Sequence, residues 1–251
     1  MSLLISLRSE LIKLKRTASL YICFIAASFI PILLFSEVFD VDPHTQKALP
    51  WRHHFLEGRE MINIAFLPLY IILTSTLLLQ TEYRDKTWKQ VLTSPQKLIN
   101  VFFAKFIILH LLIILFLISY NAWLVITGVG MELMHPNLFN GGFNIYDLFV
   151  ANGQTYFLIF GVSAIQFWLA LRFKNFIAPI AIGFCLWMMA PIIVFELKWA
   201  FADKYPYSFS LLSVLPVYKR GILLYQWYSV ANAVLFLAIA FIEFKVRRIK
   251  V

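Results

Sequence analysis

Imidazoles and carboxylates are the side chains that most often do chemistry, and they crowd one polar stretch, residues 39–60. It holds His44, His53 and His54 beside Asp40, Asp42, Glu57 and Glu60, with Lys47, Arg52 and Arg59 among them. Such a donor set suits a divalent transition metal. The spacing does not, because it matches no zinc-ligand pattern and no H-E-x-x-H occurs. A solvated polar loop is the better reading. Elsewhere, His110 stands alone in an apolar run, and Glu37 and Glu196 lie at the ends of others. An ionisable residue inside a membrane helix is a functional candidate by default. With no partner for His110 identifiable, packing is expected. Phosphate-binding chemistry is missing too: there is no G-x-x-x-x-G-K-[ST], and no G-x-S-x-G nucleophile turn. Cys23 and Cys185 fall in apolar runs without a C-x-x-C pattern and read as buried small residues. No cluster of His, Asp and Glu converges at one depth. An enzyme is therefore not expected, and no cofactor or metal is expected on this chain.

The elements that would position any site are membrane spans. Of the 251 residues, 61% are hydrophobic and 14% charged, and mean hydropathy is +0.78. That composition excludes a soluble domain. A bilayer core needs about 20 apolar residues per helix. Six runs qualify: Leu20–Val38, Ile62–Leu79, Phe106–Ile126, Val150–Leu171, Phe176–Phe195 and Gln226–Phe244. They are continuously apolar, whereas β-barrel strands alternate. The fold class is thus all-α integral membrane, a single transmembrane domain over 1–251.

Net charge is +9, and topology accounts for it without nucleic acid. With the N-terminus inside, 15 of the 22 Lys and Arg fall on cytoplasmic segments and 7 on outer ones. The positive-inside rule then places both termini in the cytoplasm. Residues 1–17 carry Leu4, Leu7, Leu11 and Leu14 at helical spacing with basic residues on other faces, as an interfacial helix would. A cleaved signal peptide would begin with its basic region and have a shorter apolar one. Gly128, Gly130, Pro136, Gly141 and Gly142 are expected to break regular structure over 127–149. The four residues 172–175 force a tight helix hairpin. In the outer segment 196–225, Trp199, Tyr205, Tyr207, Phe209, Tyr218 and Tyr225 alternate with Pro206 and Pro216. It reads as short helical pieces with rings at the headgroup level.

One charged segment, TEYRDKTWKQVLTSPQK at 81–97, separates the second and third spans. At 100° per residue, Tyr83, Thr87, Trp88, Val91 and Leu92 share one half of the wheel. Glu82, Asp85, Lys86, Lys89 and Gln90 take the other, and Arg84 interrupts the apolar half. Pro95 ends or kinks the helix. Lys105, in the first turns of the next helix, is expected to snorkel to the cytoplasmic surface. A linker resting on headgroups would prefer separated basic charge. Mixed acid with Trp88 and Leu92 on one face suits docking on a protein.

The pattern E82-x-R84-x-x-T87-x-x-x-x-L92-x-x-P95, followed by Lys105, resembles the cytoplasmic loop of ABC-2 type transporter permeases, the membrane subunits of ATP-binding cassette exporters. Thr87–Trp88–Lys89, the short chain and the six spans are most similar to small bacterial permeases of the lantibiotic-immunity kind. The likeness extends over essentially the whole chain. Lys86 stands where many relatives have Gly, and Gln96–Lys97 where many have Ser-Arg.

The resemblance implies a coupling helix over 82–94 seated on a separate cassette ATPase. Glu82, Tyr83, Arg84, Thr87, Trp88, Val91, Leu92 and Pro95 would form the ATPase-coupling surface. ATP and Mg would be bound by that partner. It also implies a dimer, with an identical or sister permease, in the inner membrane among its lipids. The substrate path would be lined by spans two and five: Asn63, Thr74 and Ser75 on one, Gly183, Met188 and Met189 on the other. An amphipathic or hydrophobic substrate is expected, a peptide antibiotic among the candidates. Such residues also serve plain helix packing. An ATP-independent membrane scaffold or assembly factor is the alternative function, and a membrane-embedded enzyme ranks third.

Overall fold

The computed structural model describes residues 3–14, 19–40, 49–84, 96–136, 138–141, 144–198 and 201–248. These are nearly all helical. In chain order the helices are α1 (Leu3–Leu14), α2 (Ser19–Ser36), α3 (Trp51–Met61), α4 (Leu67–Arg84), α5 (Leu98–Met134), α6 (Ile145–Leu158), α7 (Phe160–Arg172), α8 (Ile177–Pro191), α9 (Phe209–Val214) and α10 (Ile222–Arg248). Wide turns at Ile62–Phe66 and Ile192–Glu196 join α3 to α4 and extend α8. Among the described residues, five stretches are long and apolar enough to cross a membrane: Ser19–Ser36, Trp51–Tyr83, Leu98–Met134, Ile177–Glu196 and Pro216–Val246. The pair α6 and α7, bent by 42°, makes a sixth if counted as one span.

The central packing sets α10 along α7, α2 along α5, and α4 along α7. One core runs through them, with Phe102, Phe106 and Phe167 meeting edge to face at 5.3 Å between Phe102 and Phe167 and between Phe106 and Phe167. Polar backbone has no water to bond in hydrocarbon, so continuous helix is the only way these apolar runs satisfy it.

The bend between α6 and α7 has an identifiable cause. Ser229 of α10 inserts its hydroxyl at the break, accepting from the Gly161 N–H at 2.8 Å and donating to the Leu158 carbonyl at 2.8 Å. A side chain inserted into the helical ladder is a known source of sharp kinks. Gly161 is needed for the approach, since a Cβ there would meet the Ser229 backbone oxygen at 3.0 Å.

Several expectations are corrected. The solvated loop at 39–60 is, from Trp51 on, helix α3 leading into α4. Its charges average the composition to polar, yet Trp51, His54, Phe55, Gly58 and Ile62 recur at helical spacing on one side. Along that side, His54 Nε2 lies 3.1 Å from the Leu124 carbonyl, and the Tyr120 hydroxyl donates to the Gly58 carbonyl at 2.7 Å. Gly128 and Gly130 do not break α5, which runs to Met134. Instead they admit rings: a Cβ on Gly128 would lie 2.7 Å from Trp51, and one on Gly130 3.0 Å from Phe35. Within 196–225, Tyr207 and Phe209 turn into the protein core rather than toward headgroups. Tyr207 accepts from Gln166 at 2.6 Å, and Tyr205 donates to the Leu186 carbonyl at 2.6 Å. Trp199 lies outside the described residues. Cys23 is buried as expected, but Cys185 is exposed on α8.

Candidate functional site

The Leu-rich helix α1 docks through its polar stripe. Ser6, Glu10 and Leu14 are its buried residues, while Leu4 and Leu11 stay exposed. Ser6, Glu10 and Lys13 follow one another at i, i+4 and i+7 and so share a face. Ser6 donates to Gln96 Oε1 at 2.8 Å. Beneath the stripe, Lys105 is 1% exposed, Glu82 2% and Glu10 4%. Lys105 Nζ bonds Glu10 Oε2 at 2.8 Å and Glu82 Oε1 at 2.9 Å. Lys13 Nζ bonds Glu10 Oε1 at 2.9 Å and Glu82 Oε1 at 2.6 Å. Two ammonium groups and two carboxylates thus close a neutral square between α1, the end of α4 and the start of α5.

This overturns two expectations. Lys105 does not snorkel out, because two carboxylates neutralise it inside. Glu82 belongs to a buried ion cluster rather than to a free polar face. Glu10 is the member of the cluster that the sequence does not single out. Its signal was an acid on the same helical face as Ser6 and Lys13, in an otherwise basic and leucine-rich segment.

Two further bonds tie the end of α4 to the end of α7. Tyr83 donates to the Leu171 carbonyl at 2.7 Å, and Gln80 to the Phe173 carbonyl at 2.8 Å. The last turn of α4 is therefore held from both sides just before the charged segment. The side chain of Arg84, and Thr87, Trp88, Val91, Leu92 and Pro95 altogether, lie outside the described residues. Chemically the cluster is a lock: its ammonium groups and carboxylates pair with one another.

Lys13 is the cluster's most accessible member. Burial pulls its ammonium down, but the carboxylates of Glu10 and Glu82 outweigh that, so its pKa lies above the ordinary 10.5. A raised lysine stabilises fully below 10.5 and loses that contribution as pH climbs through the higher folded value. The difference in melting temperature between the native protein and Lys13→Ala should therefore hold constant from neutral pH to the lysine range, then shrink above it. A difference that disappears near neutrality would contradict this placement.

The residues proposed for a path separate into two groups. Asn63, Thr74 and Ser75 are fully buried; Asn63 donates to Thr155 at 3.2 Å and Ser75 to the Ile72 carbonyl at 3.2 Å. Gly183 is packed so closely on Gln166 that a Cβ would lie 2.2 Å from its amide nitrogen. Met188 and Met189 are exposed on α8. His110, expected to lack partners, has one on each ring nitrogen: the Tyr156 hydroxyl at 3.0 Å and the Ser163 hydroxyl at 3.2 Å.

Residues 6–190 match the model of one protein family, described as ABC-2 family transporter protein. The chain belongs to the ABC-2 family of transporter proteins. The match begins inside α1 and ends inside α8, so this ABC-2 protein carries all four members of the ion cluster and the charged segment within the family region. Residues 191–251 lie beyond it. No curated protein and no solved structure matches the chain. As an ABC-2 transporter it is a multi-pass membrane protein and a membrane transport component rather than a catalytic one.

Proposed function

We propose that this ABC-2 protein is the permease of an ATP-binding cassette exporter. Six spans, with α6 and α7 as the bent fourth, form its membrane half, and both termini face the cytoplasm of the inner membrane. The charged segment that follows α4, through residue 94, forms a coupling helix that docks on a separate ATPase, which binds ATP and Mg. A second permease, identical or sister, completes the path, and an amphipathic or hydrophobic compound such as a peptide antibiotic is carried outward.

The observation that supports coupling most is the ion cluster. Glu82 begins the charged segment and is bonded to Lys105 and Lys13, so a pull on that segment reaches α1, α4 and α5 together. Buried charge pairs resist separation, because parting them leaves an uncompensated charge in low dielectric. A push from an ATPase would then move helices rather than be absorbed by a slack loop.

The test is purification through a C-terminal tag with identification of copurifying proteins. A cassette ATPase is expected with the native chain. Thr87→Trp, which adds a large ring to the docking face, is expected to abolish its recovery and ATP-driven export. An ATPase that stays bound to Thr87→Trp, with export intact, would remove the coupling assignment. Recovery of the chain with partners but no ATPase would favour the scaffold.

A further inference from the structure

At the opposite end of the helices from the charged cluster, a cavity of about 470 Å³ opens between α3, α5 and α6. One wall is the face of α3 that carries Arg52, Phe55, Leu56, Arg59 and Ile62, at helical spacing. Leu117 and Asn121 of α5 stand across from it. Asn121 and Asn152 bond each other in both directions, at 2.9 and 3.2 Å, and so satisfy one another.

Arg59 is not satisfied in this way. Among the described residues its one hydrogen bond runs from Nη2 to Gln154 Oε1 at 3.2 Å, and its Nε is buried without a partner. A guanidinium has five N–H donors in a planar fork. This one is half-buried one turn before the apolar run that starts at Ile62, and no described carboxylate forms an ion pair with it. A charge at that depth is costly without a counter-charge. Arg52 is exposed on the same wall, and Asp147, in the first turn of α6, is exposed on another. Among the described lining residues two arginines stand against one aspartate, while Glu60 beside Arg59 lies off the lining and offsets part of its charge, and the excess suits a monoanion better than a dianion. The rim residues Tyr146 and Val150 are exposed, at 71% and 41%, which leaves an apolar exit along α6.

We propose that this cavity binds a monoanionic phospholipid from the leaflet at that end. The phosphodiester sits on the Arg59 fork with Arg52 beside it, and an acyl chain leaves past Phe55 and Val150. Guanidinium and phosphate match in planar, bidentate geometry, and the apolar lining selects an amphiphile over a bare anion. The inference goes beyond the coupling reading and holds whether or not an ATPase docks.

The experiment uses the purified full-length chain in detergent, without ATPase, titrated with phosphatidylglycerol and read by native mass spectrometry. One tightly retained lipid is expected. Arg59→Gln should weaken its retention by about tenfold, the scale of one charge-assisted contact. Ala151→Trp, which fills the cavity and keeps both arginines, should weaken it as well. Arg59→Lys should fall between, since charge remains and the fork is lost. Millimolar inorganic phosphate should not displace the lipid. Equal retention by Arg59→Gln and the native chain, or displacement by inorganic phosphate, would overturn the assignment. ATPase copurification with Arg59→Gln is read separately, so failure of the lipid site is distinguishable from failure of coupling.

Discussion

Lys105→Ala is expected to destabilise the protein by about 3–5 kcal/mol, the scale of breaking a buried ion pair by removing one partner. Glu10 and Glu82 would face each other across Lys13, whose side chain is 42% exposed. Lys13→Ala should cost far less, nearer the ~0–1 kcal/mol of exposed pairs. Thermal unfolding in detergent measures both. The informative companion is Lys105→Met combined with Glu10→Gln and Glu82→Gln. Removing the charges together should restore most of the loss, because replacing a whole buried pair by neutral groups is often close to neutral. Digestion at α1 supplies a local readout: with Lys105 gone, the helix should release and be cut sooner. If Lys105→Ala melts with the native protein and α1 stays protected, the cluster holds nothing. Glu82 would then carry no pull from the charged segment to α1 and α5.

Ser229→Val carries the second large effect. Valine neither donates nor accepts, and Ser229→Ala controls for the carbon it adds beside Gly161. The Gly161 N–H and the Leu158 carbonyl would each lose a partner inside the bundle. A buried polar group left unsatisfied costs about 1–3 kcal/mol. A lowered melting temperature is expected, with Ser229→Ala behaving alike and Ser229→Thr retaining more stability through its hydroxyl. Unchanged stability in Ser229→Val would mean that packing against α10, not the inserted hydroxyl, holds the bend.

Both effects involve pairs far apart in the chain, and this separates what was readable from what was not. The apolar runs were readable because twenty or so such residues have one stable disposition in a bilayer. The helix at 51–61 was not readable from composition, since its charged residues and histidines together outnumber its apolar residues. Only its periodicity, and the close seat that Gly58 and Gly128 give to Tyr120 and Trp51, marks it as helix. The glycines of α5 looked like breakers for a related reason. Propensity in isolation disfavours them in a helix, and close approach of a neighbour overrides that. His110 lacked visible partners because Tyr156 and Ser163 lie 46 and 53 residues away.

The membrane class, the approximate spans, the family resemblance and the place of the charged segment could all be read along the chain. Each of these depends on local composition or on a short motif. Tertiary structure alone decided that Lys105 is buried between Glu10 and Glu82, that Ser229 holds the bend of α6 and α7, and that Arg59 faces a cavity. Charge, hydroxyl and guanidinium are ambiguous along a chain because water, lipid or a distant residue could satisfy each. The physical reason is desolvation: once a polar group is buried, its partner is whatever the packing of helices brings within hydrogen-bond distance.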